Sequence, residues 1–170
     1  MRNVQQSAPP RAPATAELEH TMTALTYAPL CGLEQRLLDH FYRQQGSRMR
    51  SAAGGALWVA RAGAIVAGMS LSPVGHGQWL TGLLVDPQWR RRGIAGQLIE
   101  ASVATASGPV WLFCHPELLP FYQRLGFAPA HDLPEALSMR LARYQRSKNL
   151  VALGRDQSSP MSSPGNNTSV

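Results

Sequence analysis

The order of apolar and polar positions along the chain predicts a mixed α/β domain. Two apolar runs, 56–61 and 64–71, flank a turn of small residues and predict a β-hairpin. A third apolar run, 79–85, predicts a strand that ends at an Asp-Pro pair and completes an antiparallel meander. The run at 110–114 predicts a buried strand parallel to the third, because a helix separates the two.

Helical periodicity is present in three segments. Apolar residues share one helical face at 33–42, and a second helix is expected from Ile94 to about residue 107. A third helix is expected around 118–125, where two starting points remain open. A start at Pro116 would place a proline inside the helix and break a hydrogen bond, whereas a start at Pro120 gives a short but unstrained helix.

The remaining apolar segments complete the sheet, and the two ends of the chain have a different composition. Residues 23–27 predict a first strand, and 127–130 and 136–141 predict two last strands. Residues 1–21 are rich in Ala, Pro, Gln and Thr, which predicts a disordered extension. Clusters of Ser, Asn, Pro and Gly in 146–170 predict a flexible tail, so the folded domain is expected at 22–145.

The segment between the third strand and the second helix has the composition of an anion site. Arg90, Arg91 and Arg92 precede Gly93, and Ala95 keeps the start of the helix free of bulk. A helix N-terminus leaves N–H groups unpaired and favours negative charge, and small residues let a phosphate approach them. A solvated charged turn is the alternative. The flanking strand, glycine and helix favour phosphate binding.

Two motifs carry a family resemblance. The string R-x-x-G-x-A at 90–95, after a V-D-P strand end, resembles the acetyl-CoA signature of the GNAT superfamily of N-acetyltransferases. The string F-Y-x-x-x-G-F at 121–127 resembles the segment that carries the usual catalytic tyrosine of that superfamily. The resemblance covers roughly 56–141. It implies a mostly antiparallel sheet with helices on both faces and a splayed parallel strand pair in the centre.

The resemblance implies a binding mode for the pantetheine arm of the cofactor. The backbone of Leu83, Leu84 and Val85 is expected to contact pantetheine and the acetyl group, with one N–H polarising the thioester carbonyl. The corresponding strand bulges in the family. Gly82 inside the predicted strand fits such a bulge, although a glycine there also suits simple packing.

The resemblance also assigns the pyrophosphate contacts. Arg90 fills the first position of the motif, and Ala95 replaces the commoner glycine. His115 stands where the family often has an asparagine that contacts pantetheine, and histidine can donate a hydrogen bond too. The residues expected to supply pyrophosphate-binding amides are Arg91, Arg92, Gly93, Ile94, Ala95 and Gly96.

Tyr122 is the candidate general acid, and no general base is assigned. A phenol is matched to protonating a departing thiolate, since both conjugate acids titrate at about pH 8–10. A core tyrosine on an amphipathic helix is the alternative, and the family match favours the acid. Val110 stands where some relatives place a glutamate. Water-mediated deprotonation and four side chains remain as bases: His76, His115, Glu117 and Asp86.

The charge and the cysteine content indicate which binding partners and which cellular compartment to expect. The net charge is +6, and every basic residue except Lys148 is an arginine. Coenzyme A explains the arginine run and the other arginines are scattered, so nucleic acid is not favoured as a partner. Cys31 and Cys114 lack a C-x-x-C spacing, which predicts reduced thiols in the cytoplasm. No apolar run suits a membrane span, and no metal site is expected.

The sequence therefore predicts an acetyl-CoA-dependent N-acetyltransferase. Direct transfer to a primary amine of a small molecule or peptide is expected, because neither cysteine lies in a nucleophile motif. Arg48 and Arg50 would suit an acceptor that carries a carboxylate, or they are simply solvated. The missing base keeps an alternative open: a non-catalytic module that senses acyl-CoA or binds an anionic polymer. A homodimer is compatible with either function.

Overall fold

The computed structural model describes residues 24–157, so the predicted extension at 1–21 lies outside the described residues. This range contains four helices and seven strands, with short 3₁₀ turns between some of them. None of these helices has both the length and the apolar character needed to cross a bilayer. In chain order the elements are β1 Thr26–Pro29, α1 Gln35–Gln44, β2 Ala56–Ala62, β3 Ala64–Val74, β4 Gly77–Val85, α2 Ile94–Val103, β5 Val110–Cys114, α3 Leu119–Arg124, β6 Ala128–Pro129, α4 Glu135–Gln145 and β7 Val151–Arg155.

The strands form one sheet in the order β1-β2-β3-β4-β5-β7-β6. All neighbours are antiparallel except β4 and β5, as the sequence predicted. The parallel pair is short, because only Gln78 opposite Val110 and Trp79 opposite Trp111 are in register. Beyond these two pairs the strands part. The predicted fold class, including the splayed central pair, is confirmed.

Side chains of β2 alternate between the two faces of the sheet and show how the helices cover them. Leu57 and Val59 pack with Leu38, Phe41 and Tyr42 of α1. On the opposite face, alternate β2 residues join a larger core that includes side chains of α2 and α3. Each buried large apolar side chain contributes about 1.5–3 kcal/mol. Helices therefore cover both faces, as predicted.

The segment 136–141, predicted as a strand, is part of the helix α4. Leu137, Met139 and Leu141 alternate with polar residues, which suggested a strand. The structure instead buries Leu137 at 1% exposure and leaves Met139 67% exposed. Tyr144 continues the inward face, seven residues after Leu137, which is a helical spacing.

The C-terminal tail prediction is wrong where it overlaps β7. Val151–Arg155 pairs with β5 on one side and with β6 on the other. Ala152 and Leu153 are buried. The domain therefore extends beyond residue 145. A short apolar run among Ser, Asn and Gly residues is only a weak indication of a strand in the sequence. Pairing with two strands that are distant in the chain stabilises β7. Residues 158–170 lie outside the described range.

Two smaller boundaries are settled by the structure. Strand β1 begins at Thr26, three residues later than the start predicted for the segment 23–27. Helix α3 begins at Leu119 after the 3₁₀ turn Pro116–Leu118, and Pro120 occupies its first turn. A proline there removes no helical hydrogen bond, so the shorter of the two predicted helices is the one that forms.

Replacement of Gly77 by alanine is predicted to destabilise the start of the parallel pair. A Cβ atom at Gly77 would overlap the carbonyl oxygen of Pro109 and lie 2.7 Å from Cζ3 of Trp111. Gly77→Ala should lower the free energy of unfolding by about 2–3 kcal/mol in urea denaturation. Gly32→Ala is the control, because a Cβ at Gly32 meets no atom of residues 24–157 within 4 Å. Equal effects of the two variants would contradict the close approach.

Candidate active site

Strand β4 contains a β-bulge at Gly82. Gly68 pairs with Leu84 and Ser70 with Thr81, so β3 advances two residues while β4 advances three. The backbone φ of Gly82 is +68°, a conformation that favours glycine. The bulge that the family resemblance implied is therefore present. The bulge changes the direction of β4 just beyond the point where β4 stops pairing with β5.

The bulge is held by Tyr42 of α1. The Tyr42 hydroxyl donates a 2.6 Å hydrogen bond to the carbonyl oxygen of Gly82. A Cβ atom at Gly82 would lie only 2.7 Å from that hydroxyl, so the contact needs a glycine. Burial, and secondarily the charge of Asp39, raises the pKa of Tyr42 above its usual range. The hydroxyl is therefore a protonated donor at neutral pH.

One edge of β4 is open beyond Trp79. On the β3 side, Leu84 and Val85 remain in register with their partners. On the other side, no strand in residues 24–157 pairs with β4 after Trp79. The predicted pantetheine-contact residues Leu83, Leu84 and Val85 lie along this edge. Their outward-facing N–H groups are available to an extended ligand, whereas the Val85 carbonyl oxygen accepts a hydrogen bond from Arg90.

The N-terminus of α2 presents a row of unpaired donors. Gly93 occupies the N-cap position with a left-handed backbone, at φ +72°. The first hydrogen bond of the helix runs from the Gln97 N–H to the carbonyl oxygen of Gly93, at 3.1 Å. Within the part of the chain that the structure describes, the N–H groups from Arg91 to Gly96 donate to no protein acceptor. A helix start has this property, and the preceding left-handed residues extend it.

These donors face a cavity of about 380 Å³ between the end of β4, the start of α2 and α3. Arg90 and Arg91 line it from the loop, and Arg124 lines it from α3. A second cavity of about 620 Å³ shares Gly93, Gly96 and Arg124 with the first. The two cavities are therefore adjacent, and the three arginines that line the smaller one favour an anion there.

The three loop arginines have different positions. Arg90 donates from Nε to the carbonyl oxygen of Val85 at 3.3 Å, which ties the loop to the end of β4. Arg91 lines the cavity and has a positive φ of 62°. The guanidinium of Arg92 lies over the ring of Trp89, 4.7 Å from its centroid, and does not line the cavity. Arg92 therefore has only its backbone N–H available there.

Tyr122 lies in the core between α3 and β5, with 7% of its surface exposed. Its ring meets the rings of Phe121 and Phe127 edge to face, at centroid distances of 4.9 and 5.9 Å. Burial, with a smaller contribution from Cys114, raises the pKa of Tyr122 to about 12. The phenol therefore keeps its proton at neutral pH, as a general acid must.

Among residues 24–157, no carboxylate is positioned as a general base at either cavity near the end of β4 or at the edge of the bulge. The Asp86 carboxylate accepts hydrogen bonds from the Gln88 N–H at 2.9 Å and from Gln45 at 3.3 Å. His115 Nδ1 accepts from the Glu117 N–H at 3.3 Å and caps the following turn. Glu100 lines the larger cavity but is paired with Arg155 at 2.7 Å. These side chains serve structural roles.

The described residues show neither a nucleophilic cysteine nor a group of metal ligands. Burial raises the pKa of the Cys114 thiol, so this residue is a neutral thiol rather than a thiolate nucleophile. Cys31 is exposed and lies in the turn before α1, far along the chain from the bulge. Across residues 24–157, no three His, Cys, Asp or Glu side chains are grouped to hold a metal ion.

Comparison with known proteins agrees with this geometry. Residues 53–129 match the family model described as an acetyltransferase (GNAT) domain. A search of curated proteins gave no match. The matched residues include the bulge, the arginine loop, α2 and Tyr122.

Solved structures share the fold. N-acetylglutamate synthase from Neisseria gonorrhoeae, in complex with coenzyme A and N-acetyl-glutamate, matches 80% of this chain with a TM-score of 0.59 and 15% identity. The chain spans 36% of that longer protein. Ard1 from Thermoplasma volcanium matches 80% of this chain and 99% of its own, with a TM-score of 0.59 and 18% identity. A GNAT-family acetyltransferase from Staphylococcus aureus matches 78% and 99%, with a TM-score of 0.53 and 16% identity.

The domain match and the shared fold describe what this chain is similar to. Residues 53–129 match the GNAT acetyltransferase domain model, and the chain has the fold of these acetyltransferases.

Sequence reasoning singled out the arginine loop, which lines a cavity, and Tyr122, whose role as general acid stays a prediction because it lines none of the cavities described above. It did not single out Arg124 or Tyr42. Arg124 was visible within the second motif, yet its position opposite the arginine loop depends on how α3 packs. The sequence placed Tyr42 on the apolar face of α1. Because buried tyrosines usually have a hydrogen-bond partner, its hydroxyl could have indicated a polar contact there. His115 lines none of the cavities described above, so its contact with pantetheine stays a prediction.

Removal of the Tyr42 hydroxyl is predicted to loosen the bulge. Tyr42→Phe leaves the Gly82 carbonyl without its buried donor and should lower the free energy of unfolding by about 1–3 kcal/mol in urea denaturation. Tyr27→Phe is the matched control, because the buried Tyr27 hydroxyl has no partner among residues 24–157. Its loss should change the stability by less than about 0.5 kcal/mol. A neutral Tyr42→Phe variant would refute the role of this hydrogen bond.

Proposed function

We propose that this chain transfers the acetyl group of acetyl-CoA directly to a primary amine of a small-molecule or peptide acceptor. One observation carries the proposal: six consecutive N–H groups at the start of α2, from Arg91 to Gly96, have no acceptor within residues 24–157 and face a cavity lined by arginines. Donors in this arrangement suit a diphosphate. The N-acetylglutamate synthase of the same fold holds coenzyme A, which supports the same class of cosubstrate here.

Charge and backbone geometry both favour the pyrophosphate at this position. The partial positive charge of the α2 N-terminus adds to the formal charges of Arg91 and Arg124. Hydrogen bonds to charged groups contribute about 1.5–3 kcal/mol each. Gly93 and Gly96 keep side chains away from the donors. The phosphates would therefore be held mainly by the main chain.

The open edge of β4 then receives the pantetheine arm. An extended amide chain can pair with the outward-facing groups of Leu83 to Val85 as an added strand would. The bulge at Gly82 turns this edge away from β5 and leaves room for the thioester. One N–H of Leu83, Leu84 or Val85 would donate to the thioester oxygen as negative charge develops on it.

Tyr122 completes the reaction as the general acid. The amine nitrogen forms a bond to the acetyl carbon, the carbon–sulfur bond breaks, and the departing sulfur takes the phenolic proton of Tyr122. The amine releases its own proton to water, since no carboxylate or imidazole lines the bulge among the described residues. Tyr122 regains a proton from solvent.

A non-catalytic acyl-CoA sensor on the same fold is the competing function, and turnover distinguishes the two. Release of free thiol from acetyl-CoA in the presence of a broad amine panel supports the transferase. Tight coenzyme A binding without turnover on any amine would favour the sensor. Salt-sensitive binding to DNA or RNA, with no response to coenzyme A, would favour a polymer-binding function.

The cofactor site is tested by calorimetry on the full chain. Coenzyme A should bind at least about a hundredfold more tightly than pantetheine, which lacks the phosphates. Arg91→Gln should weaken coenzyme A binding about five- to tenfold and leave pantetheine binding unchanged. Arg36→Gln, an exposed substitution on α1 with the same loss of charge, is the control and should have less than a twofold effect. Equal affinity for the two ligands would overturn the site.

Tyr122→Phe tests the general acid. Turnover should fall about a hundredfold while acetyl-CoA affinity stays within twofold, because only the proton donor is removed. The wild-type rate should show no decline with rising pH below about pH 10, since the pKa of Tyr122 is raised to about 12. A descending limb that begins near pH 8 and disappears in Tyr122→Phe would show that the phenol titrates earlier than its burial allows.

A further inference from the structure

A third cavity, of about 340 Å³, lies on the face of the sheet opposite the arginine loop. Trp79, Thr81 and Gly82 line it from β4, and Phe113 lines it from β5. It therefore opens at the parting of the two central strands, beside the bulge. A cosubstrate whose phosphates bind on one face and an acceptor in this cavity on the other face would meet at the gap between β4 and β5. Direct transfer requires such a meeting of the two reactants.

Three aromatic side chains line this cavity, beside polar groups that include Thr81 and Lys148. The rings of Trp79 and Phe113 lie 5.7 Å apart, and Tyr144 of α4 meets Phe113 edge to face at 6.4 Å. Met49, Leu80 and Leu150 also line it. A continuous row of three rings suits an aromatic or bulky aliphatic group.

The charges around this cavity are positive. Lys148 is the one charged side chain that lines it among the described residues, and its Nζ lies 5.5 Å from the centre of the Tyr144 ring. Arg140 packs over Trp79 at 4.4 Å, and Arg143 lies 5.5 Å from the Tyr144 ring centre. None of these cations forms an ion pair within residues 24–157. The cavity therefore attracts a carboxylate and repels a polyamine.

The positive surroundings also suit the amine that must react. A nearby cation disfavours the protonated form of an amine and so increases the fraction that can attack the thioester. This effect offsets the missing carboxylate base. Arg48 and Arg50, which the sequence offered as carboxylate contacts, line neither this cavity nor the arginine-lined ones.

We infer that the acceptor is a free α-amino acid with an aromatic or large apolar side chain, bound in this cavity with its carboxylate on Lys148. The inference rests on the proposed function and names its substrate class. The amino nitrogen forms the new bond to the acetyl carbon as the carbon–sulfur bond breaks, its proton passes to water, and the sulfur leaves as the thiol. The apolar side chain occupies the aromatic wall.

The test compares two acceptors that differ only by the carboxylate, L-phenylalanine and phenethylamine, on the full chain with acetyl-CoA. The kcat/KM for L-phenylalanine should exceed that for phenethylamine about tenfold. Lys148→Gln should bring the ratio close to one, chiefly through a lower kcat/KM for L-phenylalanine. Arg146→Gln is the charge-matched control, because Arg146 does not line this cavity. It should leave the ratio intact.

Three results would overturn the inference and leave the proposed function standing: a preference for phenethylamine, a preference for spermidine, or a ratio that Lys148→Gln does not change. Calorimetry decides the case in which no amine is acetylated. L-phenylalanine should then still bind more tightly than phenethylamine, and Lys148→Gln should remove that difference. Absence of the difference would overturn the inference, whereas failure to bind acetyl-CoA would overturn the proposed function.

Discussion

The site depends on the separation of β4 from β5 after only two residue pairs. A parallel pair of this kind normally continues its hydrogen bonds along the full length of the shorter strand. Here the extra residue at Gly82 bends β4 away, and the Tyr42 hydroxyl holds the bulged carbonyl on the α1 side. The loss of sheet hydrogen bonds is the cost of an open edge. In return, backbone groups in the centre of the sheet stay free for a ligand.

This separation explains why the functional elements lie where they do. The loop after β4 leads directly into the N-terminus of α2, so the row of N–H donors from Arg91 to Gly96 follows the open edge in the chain. Tyr122 lies on the α2 and α3 side of the sheet, and the aromatic cavity with Lys148 lies on the α1 and α4 side. A cosubstrate and an acceptor could therefore approach the gap from opposite faces. That arrangement favours direct transfer over a covalent enzyme intermediate.

The sequence predicted the parts of this site that depend on local structure. The glycine inside a strand and the arginine–glycine helix start are short-range signals, and both are where the sequence indicated. Features that depend on distant contacts were missed. The hydrogen bond of Tyr42 spans forty residues to Gly82, and β7 is stabilised by pairing with β5 and β6. The alternation of apolar and polar residues around Met139 predicted a strand. The packing of Leu137 and Tyr144 shows that this segment is a helix.

The central claim is that the main chain at the start of α2 holds a diphosphate while the edge of β4 holds the adjoining arm. Amide proton and nitrogen NMR shifts of the full chain, recorded while coenzyme A is added, test it most directly. The account predicts saturable shifts of the amides from Arg91 to Gly96 and of those from Leu83 to Val85, in one binding event. Shifts confined to other surfaces, with these nine amides unchanged at saturation, would contradict it.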